Sequence, residues 1–320
     1  MTRTILSEKR NIPARLYKYR GFNNLTLDQL VFDQLFFADP STFNDPLDTK
    51  PSLSTDLDAD ALEDILRQLI EQRTNAEMSA AAKAIRYRGP KTLNHIAIQC
   101  KQRAENVIAD IRYHATNPEY EVEDPARFLF GHYVEEELLR RYDKGIVSLA
   151  ERAECPLMWS HYGDQHKGLC IGYSIPERAQ QSLYKITYGG SRLIAASAVA
   201  AMLDGDDSAQ REVDEAVLSR KAPEWGYERE WRLVGPRGIQ DSPLELEEVV
   251  FGIRCSSTVK YAIVKALADR GRRIKFYEIR ERHENFLLGK YPLDTDELTA
   301  LLPRRALTTY DYFKPVVDDE

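Results

Sequence analysis

The hydrophobic period of this chain changes twice along its length, and that change decides which elements each stretch can form. Residues 14–48 alternate extended pieces (ARLYKYR, LFFADPSTF) with one short amphipathic helix carrying Leu27, Leu30 and Val31, and they end in the turn-forming NDPLD. Between 58 and 143 the period becomes helical. Leu62, Ile65, Leu66, Leu69 and Ile70 fall on one face, and Leu93, Ile96, Cys100, Ala104, Val107, Ile108 and Ile111 form a longer stripe. Such stripes read as core, so about three packed helices are expected here. After Gly145 short strands return (GIVSLA, GLCIGYS, YKITYG), followed by helices over 193–203 and 208–219 and by an alternating YEREWRLV. The last unit is βαβ-like: EEVVFGI, a helix capped by Ser257 or Thr258 and running to Arg270, and IKFYEI. The acidic end VVDDE is expected to fray.

Strands and helices therefore mix without a steady βαβα alternation. The expected class is α+β: a mixed or antiparallel split sheet with an inserted helical bundle. Residues 1–57 begin the core, 58–143 form the insertion, and 144–320 complete what is expected to be a single domain.

Composition removes several function classes. The formal charge of −7 disfavours a protein that coats nucleic acid nonspecifically, since Lys and Arg carry that binding. A local basic groove, for instance from Arg229, Arg232, Arg237 and Arg254, stays open. No apolar run approaches the roughly 20 residues of a membrane span. The first residues lack an apolar block with a cleavage site, so no membrane partner and a cytoplasmic location are expected. Cys100, Cys155, Cys170 and Cys255 form no C-x-x-C pair and read as reduced thiols.

Four stretches could carry chemistry. In YEREWRLV, period two puts Glu228, Glu230 and Arg232 on one face, against Tyr227, Arg229, Trp231 and Leu233. A carboxylate pair there could polarise a hydroxyl, steady a cationic transition state or hold a metal, with the arginine on a phosphate; a solvated strand face with exposed ion pairs has the same spacing. FNDPLD offers Asn44, Asp45 and Asp48 in a loop, where Asx residues also serve simple turns. LYKYR sets Tyr17 and Tyr19 against Lys18 and Arg20, as a base-binding strand or as a guarded edge. MWSHYGDQHKGLCIGY gathers Trp159, Ser160 and Tyr162 before a turn at Gly163-Asp164 and a strand entered at Gly168. His161 and His166 lack zinc-site spacing, so no metal site is assigned, and Ser160 lacks the context of a hydrolase nucleophile. P-loop and dinucleotide fingerprints are absent as well.

In this order, LYKYR, the FxxPxxFNDPxD segment, PLMWSHYGDQHKGLCIGY, K-x3-W-x-YEREWRL and the following VxFG resemble the bacterial family known as domain of unknown function 2971. More distantly, the chain is similar to ADP-ribosyltransferases, whose three-part site lies in a split α+β sheet. That resemblance implies an NAD-consuming enzyme, with NAD as substrate and a nucleic-acid or protein acceptor or water, in a toxin or phage-defence setting. It implies Glu230 or Glu228 as the catalytic acid, Lys18, Tyr19 or Arg20 in the first position, and Trp159, Ser160 and Tyr162 in the second. Arg232 would grip the diphosphate, and Asn44 and Asp45 would join the binding set. Two other readings stay open: a metal-dependent phosphodiesterase or nuclease using Asp45, Asp48, Glu228, Glu230 and His161, and a sensor that binds a nucleotide or peptide without turnover.

Overall fold

The computed structural model describes residues 11–86, 89, 92–142 and 144–304; the VVDDE end lies outside them. Eight strands make one sheet of mixed direction, and together with the helices they give the α+β class. By packing, the chain divides into two compact units, Met1–Leu35 with Leu149–Gln181 and Asp241–Glu320, and Phe36–Ser148 with Ser182–Gln240. The chain thus passes between units near 35, 148, 181 and 240, whereas the change of hydrophobic period falls near 57 and 143. Among the described residues no helix is long and apolar enough to cross a membrane.

The first unit is built on strand pairing. Leu16–Arg20 runs antiparallel to Leu169–Ser174, which runs antiparallel to Glu245–Phe251. Glu245–Phe251 lies parallel to Lys275–Glu281, as a βαβ unit requires, with helix Ser257–Ala266 between them. The cap is Ser256, one residue earlier than expected, because its hydroxyl is the acceptor within reach of the Val259 N–H. Leu288–Pro292 closes this side, antiparallel to Lys275–Glu281. Leu16, Trp159, Leu169 and Phe251 are fully buried. Gly172 is required where it stands, since a Cβ there would lie 2.6 Å from the Glu248 side chain. That close approach lets Tyr17 donate its hydroxyl to Glu248 at 2.9 Å.

The second unit owes its core to the helical stripes. Helices Ala59–Ala84, Thr92–Ala115 and Pro125–Arg141 pack with Ala196–Leu203 and Asp207–Leu218 around Leu62, Leu66, Ile70, Ile108, Leu138 and Val213. Asp58, Asp124 and Asp206 cap three of them by accepting first-turn N–H groups, and Pro125 takes the position where a missing N–H costs nothing. Burial of each such Leu or Ile contributes about 1.5–3 kcal/mol, and cutting Leu66 to Ala would cost about 2–5 kcal/mol. The second stripe begins at Ile96; Leu93 lies in the first turn of its helix and is exposed.

The alternating YEREWRLV is not one strand. Pro223–Glu228 forms a 3-10 helix, Arg229 turns left-handed at φ 46°, and the strand Glu230–Gly235 starts only there, antiparallel to Leu183–Lys185. Pro223 has a φ suited to a helical first position, and Arg229 ends the turn. Tyr227 and Arg229 therefore do not share a strand face with Trp231 and Leu233. YKITYG likewise breaks at Ile186 into Leu183–Lys185 and Thr187–Tyr188.

Candidate functional site

The densest chemistry lies in the second unit, around Lys221. This lysine closes the short strand Arg220–Lys221, which pairs in parallel with Thr187–Tyr188. Its ammonium donates to Glu228 at 2.6 Å and to Glu230 at 3.0 Å, and it stands 3.5 Å from Asp48. The left-handed Arg229 lies between the two glutamates, and both carboxylates meet one ammonium. Such a backbone costs a non-glycine residue about 1–2 kcal/mol.

Arg232 completes the cluster from the strand. Its Nη2 donates to both Asp48 oxygens at 2.6 and 2.7 Å, its Nε to Glu230 at 3.0 Å, and its Nη1 to the Leu218 carbonyl at 2.9 Å. All five groups are nearly sealed from solvent, with Arg232 at 0 % exposed. Among the described residues, these three carboxylates thus gather around the two cations Lys221 and Arg232.

The electrostatics follow from that packing. Burial alone would raise the Glu230 pKa, but Arg232 and then Lys221 overcome it and hold the carboxyl below its ordinary range. Burial works equally against charge on Lys221 and Arg232, and the surrounding carboxylates reverse it, so both stay protonated far above neutrality. The Tyr188 hydroxyl accepts the Glu230 backbone N–H at 2.7 Å and locks the strand start. The indole of Trp225 sits 5.2 Å from the Lys221 ammonium and donates to Asp45 at 2.9 Å.

Beside the cluster opens a cleft of about 180 Å³ whose wall includes Asp45, Asp48, Lys50, Arg192, Arg220 and Lys221. Gly189 and Gly190 form its lip at φ 82° and 86°, with open space where side chains would stand. Arg220 donates to the Ser191 carbonyl at 2.6 Å and Arg192 to the Lys50 carbonyl at 2.8 Å, which ties the lip down. Asp48 and Lys221 form part of this wall, with side chains only 2 % and 5 % exposed. Glu228, Glu230 and Arg232 are not in its wall; they stand behind those two.

The expected site residues divide accordingly. Glu228, Glu230 and Arg232 do come together, but as buried partners of Lys221 and Asp48 and not as an open charged face. Asp45 reaches the cleft, while Asn44 is exposed in the same loop. Lys18, Tyr19, Arg20, Trp159, Ser160 and Tyr162 belong to the first unit. Two of them are core groups: Trp159 is 0 % exposed and donates its indole N–H to the Ala153 carbonyl at 2.7 Å, and Tyr19 packs edge-on to it at 5.1 Å. No surface of Trp159 is left on which a nicotinamide could stack. Trp159, Ser160 and Tyr162 lie on the helix Pro156–Tyr162, not at the opening of a strand. Arg20 donates to Gln29, and Lys18 takes the intervening strand position.

Ser160 and His166 stand 3.2 Å apart, yet their bonding opposes a nucleophile and base. His166 Nδ1 is buried without a partner. A proton on Nδ1, which a basic Nε2 needs, would be stranded there at about 1–3 kcal/mol. The consistent arrangement has His166 donating to Ser160 and Ser160 donating to the Pro156 carbonyl at 3.0 Å. Burial first, and Arg254 second, lower the His166 pKa and keep it neutral.

The metal-dependent reading loses its ligands. The carboxylates of Asp48, Glu228 and Glu230 already share Lys221 and Arg232, and among the described residues no group of three His, Cys, Asp or Glu is placed to hold a metal ion. All four cysteines are buried free thiols. Two residues at the cleft were not singled out as ligand-binding by sequence reasoning. Asp48 entered it as a loop candidate in FNDPLD and as a metal ligand, and Lys221 only as the first letter of K-x3-W. The available signal was a lysine seven and nine residues before the two glutamates.

Residues 158–233 match the model of the family described as Protein of unknown function (DUF2971). The match takes in Lys221, Glu228, Glu230 and Arg232, and stops short of Asp48 and the Leu16–Arg20 strand. No match was found among curated proteins or among solved structures.

Proposed function

We propose that this chain, a member of the DUF2971 family over residues 158–233, binds NAD at the second-unit cleft and cleaves its nicotinamide glycosidic bond. ADP-ribose then passes to water or to a macromolecular acceptor, in the manner of an ADP-ribosyltransferase. The observation that supports this reading is the concentration of buried carboxylates beside the cleft: Asp48, Glu228 and Glu230 gathered around Lys221 and Arg232.

When the bond between ribose C1′ and the pyridinium nitrogen breaks, its electron pair leaves with nicotinamide, which becomes neutral. The positive charge moves to the ribose as an oxocarbenium-like cation, and a water or acceptor oxygen or nitrogen then attacks C1′ and gives up its proton. A fixed negative charge nearer the ribose than the pyridinium favours that transfer, and it acts strongly where water is excluded. Asp48 is the carboxylate of the cluster that belongs to the cleft wall, so on this reading it is the one nearest the ribose. Glu230 and Glu228 become positioning residues, holding Lys221 and Arg232 and through them Asp48.

The size of the cleft fits one ring-bearing part of the dinucleotide, since whole drug-sized ligands occupy roughly 300–1,000 Å³. The remainder would lie toward Arg192 and Arg220, whose guanidinium groups have donors beyond those given to Ser191 and Lys50. Purified protein should release nicotinamide from NAD, measured chromatographically, and Asp48→Asn should reduce the rate by roughly 10²–10³-fold while the fold is retained. Absence of release from folded wild-type protein, or equal release from both, overturns the reading.

A further inference from the structure

Apart from the cleft, the second unit carries a broad groove of about 970 Å³ between its long helices. Five arginines line it, Arg73, Arg103, Arg140, Arg141 and Arg237, against two carboxylates, Glu77 and Glu137. Arg73 is committed: its Nε and Nη2 hold the buried Glu137 at 2.7 and 3.1 Å, and its Nη1 holds Glu77. Arg140 also leans on Glu137 at 2.6 Å and on Glu136 at 3.6 Å, and Arg237 pairs with Asp39 at 2.7 Å.

Two cations remain weakly compensated. Arg141 is bonded to the neutral amide oxygens of Gln72 at 2.6 Å and Gln210 at 3.4 Å. Arg103 has a 3.4 Å contact to Glu77, with both side chains more than half exposed. An exposed pair of that kind is worth about 0–1 kcal/mol and yields readily to a stronger anion. Guanidinium forks match phosphate geometry, and among the described residues the groove wall contains no aromatic ring on which a base could stack.

We propose that this groove holds a single nucleic-acid strand by its phosphates, with Arg103, Arg140 and Arg141 as the principal contacts. The overall charge of −7 makes the local excess of cations a directing feature, because an acidic surface elsewhere repels the strand. The groove does not depend on NAD, so it is tested without it; on the functional reading above, it would present an acceptor strand.

The test is fluorescence anisotropy with a labelled 20-nucleotide single strand, as DNA and as RNA, at 50 and 200 mM salt. Three phosphate contacts predict a loss of roughly 20-fold between those salts, alike for the two strands. The Arg103→Glu/Arg141→Glu variant should bind more than tenfold more weakly, and Arg103→Gln/Arg141→Gln less severely, both with unchanged melting temperature and unchanged nicotinamide release. No binding by wild-type protein at 50 mM salt, equal affinity in the variants, or equal competition by polyglutamate or duplex DNA each overturns the proposal. Strand binding without nicotinamide release would leave this inference standing and sink the enzymatic one.

Discussion

Lys221 is the residue on which the buried cluster turns. It supplies one of two positive charges to three carboxylates, so its removal leaves Arg232 alone among Asp48, Glu228 and Glu230. Breaking a buried network by deleting a partner costs about 3–5 kcal/mol. Lys221→Met should therefore lower unfolding free energy by that amount in urea titration at pH 7. Glu228→Gln, which removes one of the three carboxylates and leaves both cations, should cost at most about half as much. A glutamine variant as damaging as the lysine one would show that Glu228 is as indispensable to the cluster as Lys221. The pH sign agrees: the folded Glu230 pKa is depressed, so its stabilisation is complete above the ordinary value of 4.5 and is lost as acid carries the pH down through the folded value. At this scale the sequence showed the residue types but not their depth. Glu228, Glu230 and Arg232 were legible as a group, yet a charged strand face on the surface and a sealed ion cluster have the same letters. Trp159 and Tyr19 misled for the converse reason: an aromatic ring with a polar handle serves a core as well as a ligand.

At the scale of elements, the stretch joining helix Pro156–Tyr162 to strand Leu169–Ser174 stands out. Asp164, Gln165 and His166 all hold positive φ, at 49°, 51° and 71°. The turn is fixed by the His166 N–H on the Trp159 carbonyl at 3.2 Å, the Gly168 N–H on the Gly163 carbonyl at 2.9 Å, and the Arg254 N–H on the His166 carbonyl at 2.9 Å. Gln165 is exposed, so its backbone conformation can be probed without disturbing the core. Gln165→Gly removes left-handed strain but adds chain entropy, two effects of about 1 kcal/mol that oppose each other. Gln165→Val adds a branched Cβ to the same conformation and should destabilise by about 1–2 kcal/mol. Denaturation midpoints of the two variants check this, and equal midpoints would mean that the turn relaxes freely. Hydrophobic period located the strands and helices well where neighbours of one kind bury one face, as at Leu62 to Ile70. It failed at Pro223–Glu228, where bonds to Lys221 and Tyr188 decide the path, and it carried no signal for a left-handed run.

Over the whole molecule, strand pairing joins segments far apart in sequence, such as Leu16–Arg20 with Leu169–Ser174, and no local pattern encodes such a choice. The α+β class was legible because period change is local; the four crossings between units were not, because they depend on which distant strands pair. Each unit nevertheless contains its own buried ion network. In the first, Glu248 is 1 % exposed and accepts from Tyr17 at 2.9 Å, from Lys290 at 2.6 Å and from Arg15. In the second, Asp48, Lys221, Glu228, Glu230 and Arg232 all belong to that unit. Glu248→Gln weakens three charge-assisted bonds and should cost about 2–4 kcal/mol, since hydrogen bonds to charged groups contribute about 1.5–3 kcal/mol each and glutamine keeps part of them. Groups that share no partner add their effects to within about 0.5 kcal/mol. The double variant Glu248→Gln/Lys221→Met should therefore lose the sum of the two single losses, read from urea titrations in which the m-value is unchanged. A deficit or surplus above about 1 kcal/mol would mean that the two networks do not act independently, and a lowered m-value would mean that one unit has already opened in the native state.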